Sequence, residues 1–111
     1  MAQRVQNLRT AQTSVPMARA LELAGRRWAL RIAWELRGGP LSFRGLQAAC
    51  GHVSPSVLAT RLHEMGDLQI VENIPRLGYR LTASGERLFQ VLAELNKWSA
   101  LLPKDLHGRN K

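Results

Sequence analysis

Acidic residues and aromatics are scarce in this chain, and long apolar runs are missing. Eight Asp and Glu stand against sixteen Lys and Arg over 111 residues, a formal net charge of +8. That balance points to a polyanionic partner, nucleic acid before an anionic membrane surface. Nowhere do eighteen apolar residues occur together, and the opening Met-Ala-Gln-Arg-Val-Gln-Asn-Leu-Arg-Thr holds no apolar run of the signal-peptide kind. The single cysteine, Cys50, excludes an intrachain disulfide and hence a disulfide-framed secreted scaffold. The expectation is a cytoplasmic protein that does not engage membranes. Signals for chemistry are equally thin. Cys50-Gly-His52 brings two ligand types with no Asp, Glu or further Cys nearby, too few for a tetrahedral metal site. No Ser/His/Asp grouping, Gly-rich phosphate loop or carboxylate pair stands out, so neither an enzyme nor a cofactor is expected.

What is there is a small amount of well-punctuated structure. The length allows one domain with one core, and a core that small gains from oligomerisation. Thirteen of the sixteen basic residues are Arg, which suits bidentate phosphate or guanine contacts, although a GC-rich genome produces the same bias. Residues 1–13 are polar and read as a flexible basic arm, 14–102 as the folded domain, and 103–111, with Pro103 and Gly108, as a flexible tail. A short helix is expected over Ala18–Leu23, stopped by Gly25. A second is expected over Trp28–Arg37, ended by Gly38-Gly39-Pro40.

The centre of the chain carries the more specific pattern. Ser42 caps a short helix over Phe43–Ala49, and Gly51-His52-Val53 turns into residues 54–65, Ser-Pro-Ser-Val-Leu-Ala-Thr-Arg-Leu-His-Glu-Met. Ser54 is an N-cap and Pro55 follows where its missing N–H costs nothing. Leu58, Leu62 and Met65 share one side; Ser56, Ala59, Thr60 and His63 share the other, small or polar groups that let a helix approach base edges. Taken alone, this helix fits a solvated surface face equally well. Two helices joined by a tight Gly-containing turn make a helix-turn-helix. Gln69–Ile74 and Tyr79–Thr82 read as strands around the turn Pro75-Arg76-Leu77-Gly78, a wing. Thr82 or Ser84 then caps a long helix to about Leu102, with Leu88, Val91, Leu92, Leu95, Trp98 and Leu102 on an apolar stripe wider than one small core covers. The fold class is mainly α with a small β hairpin, a winged helix-turn-helix.

These pieces resemble the HxlR-type winged helix-turn-helix transcriptional regulators. Ala20-Leu-Glu-Leu-Ala-Gly-Arg-Arg-Trp28 is similar to the family's opening signature. Gly39-Pro40, Ser42-Phe43, Leu46, Val53-Ser54, Val57-Leu58, Arg61-Leu62, Glu64-Met65 and Tyr79-Arg-Leu-Thr-Ala-Ser-Gly85 follow in the family's order. The resemblance implies a bacterial homodimer, paired through its N- and C-terminal helices, with one recognition helix per subunit in successive major grooves. Its operator would be an inverted repeat with half-sites about 34 Å apart. The chain also departs from the family. Ser14-Val15-Pro16 replaces a frequent cysteine and removes a thiol switch there. Ser56 stands where Lys is usual, Gln69 where Gly usually precedes the first wing strand, and Gly45 where Glu is frequent in the third helix. The wing is shorter than in many relatives, which argues against minor-groove contact.

The candidate DNA-binding residues are Ser42, Arg44, Ser54, Ser56, Thr60, Arg61 and Arg76. Arg61 lies beside the apolar stripe and is equally suited to a structural hydrogen bond or ion pair. Trp28, Trp34, Leu95 and Trp98 are candidates for a dimer interface, or for a pocket taking a small aromatic effector, with core packing as the plain alternative. The expected function is sequence-specific double-stranded DNA binding and transcription regulation, nucleoid-associated when bound. A winged-helix module that docks a protein instead of DNA is the alternative.

Overall fold

The computed structural model describes residues 14–104. The expected arm of residues 1–13, and residues 105–111 of the expected tail, lie outside the described residues. Helix α1 spans Val15–Gly25, three residues earlier than expected. Ser14 Oγ accepts from the Met17 amide at 3.2 Å and Pro16 occupies the first turn, so the helix starts at its cap. None of its residues is buried.

The second helix differs from expectation at both ends. Trp28 is not helical but sits before α2, Ala29–Glu35, with φ 79° and ψ −17°, a left-handed conformation. A side chain in that region is strained by Cβ crowding, and the core holds it there. The Ile32 amide donates to the Trp28 carbonyl at 2.9 Å, and Trp28 packs half-buried against the core. A 3-10 turn, Leu36–Gly38, replaces the expected last turn. Ala29, Ile32, Ala33 and Leu36 are buried at helical spacing and form the spine of the core.

Helix α3, Phe43–Ala49, begins as expected, with Ser42 Oγ accepting from the Gly45 amide at 3.0 Å. That hydroxyl would lie 3.2 Å from a Cβ at Gly45, so a larger residue there would crowd the cap. Helix α4, Pro55–Asp67, is capped by Ser54 and buries Leu58, Leu62 and Met65. Its fully buried side chains join Ile32, Leu36, Leu46 and Cys50. Burying a large one stabilises by roughly 1.5–3 kcal/mol.

The wing is β1, Val71–Ile74, antiparallel to β2, Gly78–Leu81, with Val71 opposite Leu81 and Ile74 opposite Gly78. Leu41 pairs with Tyr79 through two backbone bonds, 3.0 and 2.8 Å, which anchors the wing to the segment entering α3. A Cβ at Gly78 would lie 2.3 Å from the Leu41 carbonyl oxygen, so glycine is needed for this approach. Strand β1 starts two residues later than expected. Gln69 is left-handed at φ 60° and its amide donates to Gly66, leaving it in the turn after α4. Helix α5, Ala83–Ser99, is capped by Thr82 and gives way at Ala100 to 3-10-type bonds, short of the expected Leu102. The fold is a winged helix-turn-helix: α3 and α4 form the motif, and β1–β2 the wing.

Candidate nucleic-acid interface

Helix α4 is divided by its own periodicity. Leu58, Leu62 and Met65 enter the core while Ser56, Ala59, Thr60 and His63 stay exposed. The exposed set carries no large side chain over its first two turns, so the backbone can approach a surface closely. Ser54 is less free than a base reader would be. Its Oγ accepts from the Val57 amide at 3.3 Å and lies within hydrogen-bonding distance, 3.1 Å, of Ser56 Oγ. Ser42 is likewise engaged as the cap of α3.

The three candidate arginines separate clearly. Arg44, in the first turn of α3, is exposed and makes no ion pair among the described residues. Arg76 is exposed at the wing turn, left-handed at φ 72°. Arg61 is only 19 % exposed; its Nε donates to the Arg27 carbonyl at 2.8 Å and its Nη1 to Glu64 Oε1 at 3.3 Å. The structural alternative therefore describes Arg61. Its guanidinium faces inward because it lies beside the buried stripe.

Several surrounding groups escaped sequence reasoning. His63 Nε2 sits 3.5 Å from Asp67 Oδ2, an exposed pair one turn apart. Glu72 and Arg80 are cross-strand partners whose ion pair, at 2.8 Å, neutralises the face of the wing. A cleft of about 560 Å³ lies between α4 and the wing, lined by Ala59, His63, Asp67, Glu72, Asn73 and Tyr79 among others. The strand register was the signal for the Glu72–Arg80 pair, and it was hidden because β2 starts at Gly78, one residue before the expected Tyr79.

The tryptophans do not share one cavity. Trp34 packs on Phe89, centroids 5.6 Å apart, and carries the Arg37 guanidinium 4.5 Å from its ring centroid. Trp34 and Leu95 line a groove of about 310 Å³ between α2 and α5, with Leu30, Arg31, Leu92 and Ser99. Trp28 and Trp98 do not line it. Trp98 is instead 55 % exposed, beside Val91, Leu95 and Leu101, all exposed. Cys50 is fully buried at the end of α3, and burial pushes its thiol up. Arg31 opposes that shift and Glu35 adds to it.

A short capped helix, a tight turn, a second helix with a small polar face and a following hairpin define a DNA-binding winged helix-turn-helix. The HxlR-like helix-turn-helix family model matches residues 23–105, and the chain belongs to this family. It is 32% identical over 87 residues to the HTH-type transcriptional regulator YvaP of Bacillus subtilis, a match covering 73% of this chain and 81% of YvaP. It is 35% identical over 88 residues to the HTH-type transcriptional regulator MT3179 of Mycobacterium tuberculosis, covering 74% of this chain and 55% of that one. The quinone-bound crystal structure of YodB from B. subtilis superposes with a TM-score of 0.74 at 31% identity, covering 80% of this chain and 99% of YodB. These relatives are bacterial proteins named as transcriptional regulators. Among the described residues, no helix is long and apolar enough to cross a membrane.

Proposed function

We propose that this chain is a sequence-specific transcriptional regulator that binds double-stranded DNA in the cytoplasm as a homodimer. The observation that carries the reading is α4 itself, buried by Leu58, Leu62 and Met65 and outwardly lined by Ser56, Ala59, Thr60 and His63. This face enters the major groove. Arg44 and Arg76 hold phosphates on either side, and Ser42 and Ser54 bring the helix N-termini and their amides to the backbone. Ser56 and Thr60 read base edges. The exposed Val91, Leu95, Trp98 and Leu101, with Val15, Met17 and Leu21 on α1, are the surface that a second copy covers. Two recognition helices related by a two-fold axis require an inverted repeat.

Selection from a random duplex pool tests this directly. An enriched inverted repeat, bound with an affinity that falls steeply with salt, is the expected result. Binding that ignores ionic strength, with no enriched sequence, overturns it. DNA retention unchanged in an R44E/R76E variant favours the protein-docking alternative.

The groove between α2 and α5 supports a second element, a small aromatic effector, since Leu30, Trp34 and Leu95 give it apolar walls. The quinone-bound state of the YodB relative makes such a ligand class reasonable for the family. No cysteine lines the groove, so binding here is non-covalent. Calorimetric titration with flat aromatic compounds that gave no heat would remove this element and leave the DNA-binding reading in place.

A further inference from the structure

The left-handed turn at Arg27–Trp28 and the inward-facing Arg61 meet at one hydrogen bond, which ties the recognition helix to the α1–α2 connector. Helix α1 buries none of its residues fully, and Leu23 alone among them packs half-buried against the core. A cleft of about 340 Å³ separates it from the C-terminal half of α4, lined by Arg19, Glu22, Leu23 and Arg26 on one side and Glu64, Asp67 and Leu68 on the other. Arg61 Nε donates to the Arg27 carbonyl at 2.8 Å, a contact spanning 34 residues of sequence. Among the described residues it is the only hydrogen bond from α4 to the α1–α2 connector.

The connector is built to be held. Arg26 is extended after the end of α1, and Trp28 is left-handed before the start of α2. The Arg27 guanidinium lies 5.8 Å from the Trp28 ring centroid, which leaves the carbonyl between them as the group presented to α4. Glu64, one turn on from Arg61, takes Nη1 and sets the guanidinium plane. A planar fork on two acceptors fixes direction as well as distance, which a lysine does not reproduce.

We infer that Arg61 is a positioning residue: it locks the recognition helix to the α1–α2 connector and so determines which separation of half-sites the dimer accepts. The inference rests on the dimeric DNA-binding reading above. Helix α1 carries the exposed Val15, Met17 and Leu21, and its direction relative to α4 sets the distance between the two recognition helices. Arg61 acts on DNA through geometry and leaves phosphate contact to other cations.

The experiment compares wild type, R61K and R61Q, all full-length, in two measurements. The first is the salt dependence of binding to a random-sequence 30-base-pair duplex. The second is selection from a pool of inverted repeats whose spacer length is randomised. A phosphate contact would lower the salt slope by about 1 in R61Q and restore it in R61K. The expected result is an unchanged slope in both variants, a broadened spacer distribution in both, and about tenfold weaker binding to the wild-type spacer, the scale of one charge-assisted hydrogen bond. A slope that falls in R61Q and recovers in R61K overturns the inference, as does an unchanged slope with an unchanged spacer distribution. R61K retains charge and length, so if R61Q unfolds at the assay temperature the spacer measurement on R61K decides: a broadened distribution supports the inference and an unchanged one overturns it. Wild type without salt-dependent binding or an enriched repeat overturns the DNA-binding reading itself, an outcome distinct from either of these.

Discussion

Gly85→Ala sets two physical effects against each other. Gly85 is the third residue of α5, where alanine is the better helix former by about 1 kcal/mol. Propensity alone therefore predicts stabilisation. The backbone around it predicts the opposite: a Cβ at Gly85 would lie 2.1 Å from the Ile70 carbonyl oxygen and 3.0 Å from a Leu81 methyl. The Ile70 carbonyl is held in place, because it accepts from the Thr82 amide at 2.9 Å while the Thr82 hydroxyl donates to the neighbouring Gln69 carbonyl at 2.5 Å. Overpacking costs roughly 1–3 kcal/mol, and weakening the bond from the Thr82 amide adds about 1 kcal/mol. Less the propensity gain, the net is about 1–3 kcal/mol destabilising. For a domain of this size that lowers the melting temperature by roughly 5–20 °C. Urea unfolding at fixed protein concentration, followed by tryptophan fluorescence, measures the change without the concentration dependence of a dimer. Gly66→Ala is the matched control, since Gly66 lies in α4 with nothing within 4 Å of its added Cβ. It should stabilise by up to about 1 kcal/mol. A Gly85→Ala protein as stable as wild type would refute the steric argument.

The two strained turns of the wing region yield the next expectation. Gln69→Gly and Arg76→Gly each relieve a left-handed residue, at φ 60° and 72°, and should raise the urea midpoint by about 1 kcal/mol equivalent. Arg76→Gly should at the same time reduce the salt slope of DNA binding by about 1, whereas Gln69→Gly leaves it unchanged. The raised thiol of Cys50 links stability to alkaline pH. Its contribution is fully present below the unfolded-chain value of about 8.5 and is lost as pH rises through the folded value. Wild type should therefore lose more unfolding free energy between about pH 8 and 10 than Cys50→Ala, and equal losses would exclude this linkage. Because Arg44 and Arg76 are exposed cations without carboxylate partners among the described residues, R44E/R76E should unfold like wild type yet bind a random duplex far more weakly. Retained binding at low salt would count against the proposed DNA face.

Where local chemistry sufficed, the sequence was a good guide. Ser42, Ser54 and Thr82 each cap the helix that follows, since a hydroxyl needs only the amide three residues on. The alternation of Leu58, Leu62 and Met65 with Ser56, Ala59 and Thr60 likewise fixed which face of α4 is buried. What the chain did not disclose depends on residues distant in sequence. Trp28 fits a helical pattern but is held left-handed by the core and by the connector that α4 grips. Arg61 lies beside the apolar stripe, which left a DNA contact and a structural bond both open, and only the approach of the Arg27 carbonyl, 34 positions away, decides between them. Gly78 and Gly85 read as ordinary turn and helix glycines until the carbonyls of Leu41 and Ile70 arrive against them. Capping and periodicity are short-range and leave their record in neighbouring residues; close approach between backbones is decided only when the elements pack.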